Sequence, residues 1–164
     1  MVMGMSAFTF VHVLLSLVGI FSGFVVAFGL FGGKLLNGWI GLFLLSTIAT
    51  SVTGFMFPFH KFLPSHGVGI VSLIVLAVAV FALYNRHLAG AWRRTFAITA
   101  IAALYLNVFV LIVQLFLKVP ALNALAPTQS ELPFKIAQLT ALVFFVLVGF
   151  LASKKFGSLQ GRAA

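Results

Sequence analysis

The sequence predicts an all-α integral membrane bundle of five transmembrane helices, N-terminus outside and C-terminus inside. Three observations carry that expectation. In 164 residues, 63% are hydrophobic and only 7% charged, with a mean hydropathy of +1.25, far from the composition of a water-soluble domain. The apolar residues fall in five continuous runs, each near the roughly 20 residues that an α-helix needs to cross about 30 Å of hydrocarbon. Continuous runs exclude an outer-membrane type of barrel, whose strands are short and alternate. Finally, the cations sit between the runs and distribute unequally once the chain is threaded back and forth.

The spans are expected near 7–31, 37–57, 67–85, 94–117 and 133–153, with 154–164 as a basic cytoplasmic tail. With the N-terminus outside, Lys34, Arg86, Arg93, Arg94, Lys154, Lys155 and Arg162 lie inside, and Lys61, Lys118 and Lys135 outside. Seven against three gives N-out, C-in, because cytoplasmic loops hold the excess of Lys and Arg. Trp39 and Trp92 fall at span ends on the same inner side, at headgroup level. The net charge of +9 therefore faces lipid headgroups, and nucleic acid is not the expected partner. No cysteine is present, which removes disulfides, iron–sulfur ligation and thiol chemistry. Residues 1–12 hold no Lys or Arg to begin a secretion signal, so the first span is expected to remain as a helix.

The first span places His12, Ser16, Gly19 and Gly23 on one stripe, and the two small residues let a neighbouring helix approach closely. The second collects Ser46, Thr47, Thr50, Ser51 and Thr53 in its outer half, where hydroxyls bond back to their own helix. Between the second and third spans runs Phe55 to Gly67, bounded by Pro58 and Pro64 and carrying His60 and His66. Ser65 is expected to cap the third span, with His66 in its first turn. His87 reads as a surface residue at that span's inner end.

The fourth span carries Asn107 and, seven residues on, Gln114, on a face expected to be buried against other helices because an amide at that depth requires a partner. The long connection 118–132 contains Pro-Ala-Leu-Asn-Ala-Leu-Ala, which suits a short interfacial helix. Thr128 and Glu131 follow at capping-box spacing ahead of the fifth span and its Gln138.

On this topology His12, Ser16, Thr50, Thr53, His60, His66, Gln114, Glu131 and Gln138 all belong to the outer half. Three readings of that asymmetry stand. His12 and His66 are candidate axial ligands of a b-type haem, or, with Ser16, Asn107, Gln114 and Gln138, hydrogen-bond partners of a quinone head. His12, His60, His66 and Glu131 are candidate ligands of a metal ion at the outer face, although no HExxH-like spacing joins them. The third reading is non-catalytic: a packing or partner-binding bundle, a subunit of a larger membrane assembly or a homo-oligomer, whose outer polar groups satisfy one another. Transport coupled to protons or sodium lacks an acid inside any span, and Ser–His hydrolysis lacks an orienting acid.

The strings SVTGFMFPFHKFLPSHGVGIVSL (51–73), LYLNVFVLIVQLF (104–116) and PALNALAPTQSELPF (120–134) resemble a group of small bacterial multi-span inner-membrane proteins without an assigned activity. The resemblance covers most of the chain. It implies a multi-pass protein of the bacterial inner membrane and brings no catalytic residues with it.

Overall fold

The computed structural model describes residues 6–58 and 64–158. Among them every element is helical and none is a strand. The elements are α1 (Ala7–Phe31), α2 (Asn37–Gly54), α3 (Pro64–Val80, continued by a π-helical turn, Phe81–Asn85), α4 (Trp92–Lys118), α5 (Pro120–Leu125) and α6 (Leu132–Ser158).

Local chemistry sets several of the ends. Ser6 caps α1 by accepting from the Thr9 amide at 3.1 Å. At its other end Gly33, with φ 68°, takes the left-handed position. There the Lys34 amide reaches the Gly29 carbonyl and that of Gly33 reaches Leu30, a Schellman closure. Pro64 opens α3 at a position where its missing N–H costs nothing, so the helix starts one residue before the expected cap, Ser65. The π turn is closed by the Arg86 amide on Phe81 and the Leu88 amide on Ala82. His87 and Leu88 are both left-handed there, at φ 48° and 56°, which lets the Leu88 side chain fold back into the core.

The order of the side-chain contacts shows how the rods run. From His12 through Gly19 and Gly23 to Gly29, α1 meets in turn Thr53, Thr47 and Phe43 of α2 and then Leu36, the residue just before it. The two helices are therefore antiparallel and matched over nearly their full lengths. Likewise α6 meets α4 in reverse order, Phe134 with Phe116, Phe145 with Tyr105 and Phe156 with Phe96. α1, α2, α3 and α4 form a ring of four, with α6 packed outside against α4 and α1. Ser51 of α2 faces Ser72 of α3. Close approach on α1 depends on its glycines: a Cβ on Gly23 would stand 2.6 Å from Leu104 Cδ1 and 2.9 Å from Phe43 Cε2, as the sequence stripe implied.

Four helices, Ala7–Phe31, Pro64–Asn85, Trp92–Lys118 and Leu132–Ser158, are long and apolar enough to cross a membrane. The expected set of five loses α2 on this measure. It ends at Gly54 rather than 57, leaving 18 residues, and its amide and hydroxyl side chains dilute the apolar content. The last helix runs further than the span expected at 133–153: α6 continues through Lys154 and Lys155 to Ser158, with Ala152 and Phe156 buried along its final turns. Residues 159–164 lie outside the described residues.

Candidate functional site

One end of the bundle carries the polar groups singled out above, and their partners can now be named. His12 is half-buried on α1, with Nδ1 2.8 Å from the Thr53 hydroxyl oxygen of α2. That hydroxyl has one proton, which it gives to the Ala49 carbonyl at 2.7 Å, so the imidazole Nδ1–H donates and Nε2 keeps its lone pair. Phe57 packs edge-on to the same ring at 5.1 Å and Phe8 lies 4.9 Å from Phe57. Ser16, one turn along the stripe, is half-buried and stands outside the His12–Thr53 pair.

His66 is buried and has different surroundings. Its ring lies 5.9 Å from that of Phe55, which also covers Gly69 of α3. Because α1 and α3 occupy opposite corners of the ring of four, α2 holds the two histidines in separate settings. No hydrogen bond or ring contact joins them among the described residues. His60 lies outside the described residues.

Deeper in the bundle, Asn107 Nδ2 donates to the Thr47 hydroxyl at 3.2 Å, bridging α4 to α2 across the ring. Gly19 makes room for this bridge, since a Cβ there would lie 3.0 Å from Thr47 Oγ1 and 3.3 Å from both Asn107 Nδ2 and Ser46 Oγ. Ser46, Thr50 and Thr53 bond to carbonyls of their own helix. Gln114, expected on the buried face with Asn107, is exposed instead. Seven residues fall about 20° short of two helical turns, and the neighbour that meets Asn107, Thr47 of α2, is not carried along the stripe to Gln114.

The connection between α4 and α6 is tied down by side chains whose partners sequence spacing could not reveal. Asn123 donates to the Phe116 carbonyl at 3.1 Å and Gln129, left-handed at φ 58°, donates to that of Val113 at 2.9 Å. Gln138 Nε2 donates to the Phe109 carbonyl at 3.2 Å, while its Oε1 is buried with no hydrogen-bond partner among the described residues. The anticipated capping box forms only in part. The Glu131 carboxylate accepts from the Thr128 amide and hydroxyl and from the Ser130 amide, but α6 begins after Glu131 rather than after Thr128. Chiefly through the Thr128 hydroxyl, these bonds hold the Glu131 carboxyl below its usual range.

Among the described residues no three His or Glu side chains gather at one point. Comparison with family models, with curated proteins and with solved structures gives no match. What the polar groups do must accordingly be read from their own partners. His12 leans on Thr53, Asn107 on Thr47, Gln138 on Phe109 and Glu131 on Thr128 and Ser130, each a helix-to-helix or loop-closing bond.

Proposed function

We propose that this protein is a non-catalytic, five-span bundle of the bacterial inner membrane, oriented N-out and C-in, that serves as a packing or partner-binding subunit of a membrane assembly. The observation that carries the reading is the internal pairing of its deep polar groups, above all Asn107 with Thr47 and His12 with Thr53. Groups spent on joining helices are the ordinary glue of membrane bundles. Residue-by-residue matching of α2 to α1 supports α2 as the fifth span: a rod that follows a 25-residue span from His12 to Gly29 covers most of the same depth. The seven-to-three distribution of cations supports the direction.

A second reading, haem or quinone binding at His12, has one observation in its favour: the Thr53 bond fixes the tautomer that leaves Nε2 as an acceptor and a ligand. The absorbance spectrum of the membrane-extracted protein separates the haem form of this reading from the first. The subunit reading expects no haem band and a His12→Ala variant that stays folded; a haem band lost in His12→Ala and in His66→Ala would overturn it. Topology is checked by an impermeant thiol reagent on intact cells, which should label Asn123→Cys and spare Ser158→Cys.

A further inference from the structure

A cleft of about 310 Å³ opens between α1, α4 and α6. Phe24, Phe28 and Phe31 of α1 and Phe144 and Phe145 of α6 form its walls, with Leu104 of α4 among its other, equally apolar, lining residues. Its size falls at the small end of the range of about 300–1,000 Å³ for ligand clefts, which suits a length of one hydrocarbon chain. Phe28 is 74% exposed at its edge, so the cleft faces the surroundings of the bundle rather than its core.

The cleft also has a direction. Phe31 is the last residue of α1, and the chain turns there to Lys34, exposed three residues on. Val148, another lining residue, shares its stripe on α6 with Lys155, two turns further toward the same end. Arg94, at the start of α4, lies with its aliphatic stem on Gly157 of α6. Lys34, Arg94 and Lys155 are exposed, and no ion pair engages them among the described residues. Glu131, the chain's single acid, belongs to the connection at the opposite end. Lys154 and Arg93, by contrast, are turned onto Phe150 and Phe156.

We propose that this cleft is a binding site for an anionic phospholipid, one acyl chain lying among the phenylalanines and the headgroup phosphate held by Lys34 and Lys155, with Arg94 beside them. An apolar slot selects for a chain and uncompensated cations at the end of the bundle toward which it runs select for negative charge, so the two features together choose an anionic lipid over a zwitterionic one. The inference rests on the protein being a membrane bundle. It needs neither the count of five spans nor their direction.

The test is native mass spectrometry of the detergent-purified full chain titrated with phosphatidylglycerol or with phosphatidylcholine of the same acyl chains. A one-to-one adduct with phosphatidylglycerol is expected at several-fold lower concentration than with phosphatidylcholine. Lys34→Gln and Lys155→Gln should each weaken the phosphatidylglycerol adduct about fivefold and leave the phosphatidylcholine adduct unchanged, whereas Val148→Trp, which fills the slot, should weaken both. Equal retention of the two lipids by the unaltered chain, or unchanged retention by Val148→Trp, overturns the proposal. Should Val148→Trp fail to fold, Phe28→Ala decides in its place: the exposed ring is dispensable for the core, and undiminished retention of phosphatidylglycerol in that variant also overturns the site.

Discussion

Gly23→Ala tests the packing of the bundle at its tightest point. The added methyl would stand 2.6 Å from Leu104 Cδ1 and 2.9 Å from Phe43 Cε2, both too close for a real contact. Phe43 is fully enclosed and Leu104 nearly so, so neither can swing clear without moving a neighbour. Overpacking of this kind costs about 1–3 kcal/mol, against which the substitution recovers up to about 1 kcal/mol of helix propensity. We expect a net loss of about 1–2 kcal/mol in unfolding of the micelle-embedded protein by SDS or heat. Gly41→Ala is the control, because a Cβ there meets nothing within 4 Å and only the propensity gain applies. Gly23→Ala/Leu104→Val should recover part of the loss, since the shortened side chain withdraws the clashing methyl. If Gly23→Ala proves as stable as Gly41→Ala, the three-way contact of α1, α2 and α4 is not as tight as the structure describes.

The turn between α3 and α4 gives a paired prediction. His87→Gly relieves a left-handed residue with an exposed side chain and should raise stability by about 1 kcal/mol. Leu88→Gly relieves the same kind of strain but removes a side chain only 6% exposed, and thermal melts should show it less stable than the unaltered chain. For Glu131 the sign follows from a carboxyl held low in the folded state. Its contribution is fully present above the unfolded value of about 4.3 and is lost as pH falls through the lower folded value. Limited proteolysis of the 118–132 connection should therefore quicken below about pH 4, and Glu131→Gln should remove most of that acid dependence; a variant that retains it assigns the effect to another group. Asn107→Leu combined with Thr47→Val in a double-mutant cycle should return a coupling of about 0.6 kcal/mol, and no more than about 1.7. A cycle that closes at zero would mean the bridge across the ring contributes nothing.

Most of the helical framework was legible because hydrocarbon length is a crude and sufficient signal. The starts of α1, α4 and α6 fall within two residues of expectation. The Gly19/Gly23 stripe was legible for a related reason: two small residues one turn apart have little use on a lipid-facing surface, and the structure gives both to α2 and α4. The candidate site was read less completely. Asn107 announced by its depth that it needed a partner, yet Thr47 was one of five hydroxyls on α2 and spacing within either helix could not single it out. Gln114 was misplaced because a seven-residue interval keeps two side chains on one stripe without keeping a neighbour beside both. The partial capping box failed for a local reason, since Gln129 is drawn into a left-handed conformation by its bond to Val113 and the chain cannot turn helical until it has passed Glu131.

The distribution of polar groups and the distribution of charge answer different questions in this bundle. Hydroxyls and amides are spent inward, where Thr47, Asn107, Ser51 and Ser72 tie three helices at intermediate depth. Lys34, Arg94 and Lys155 are left outward at the end opposite Glu131, so their electrostatic energy depends on what the surroundings supply. A bundle whose deep hydroxyls and amides are largely paired with one another, and whose cationic end is not, should respond strongly to the charge of its lipids. Stability in micelles of a neutral detergent should accordingly rise when an anionic phospholipid is added. The rise should shrink in Lys34→Gln/Lys155→Gln and persist in Asn107→Leu, because the first change removes what the lipid meets and the second removes only internal glue.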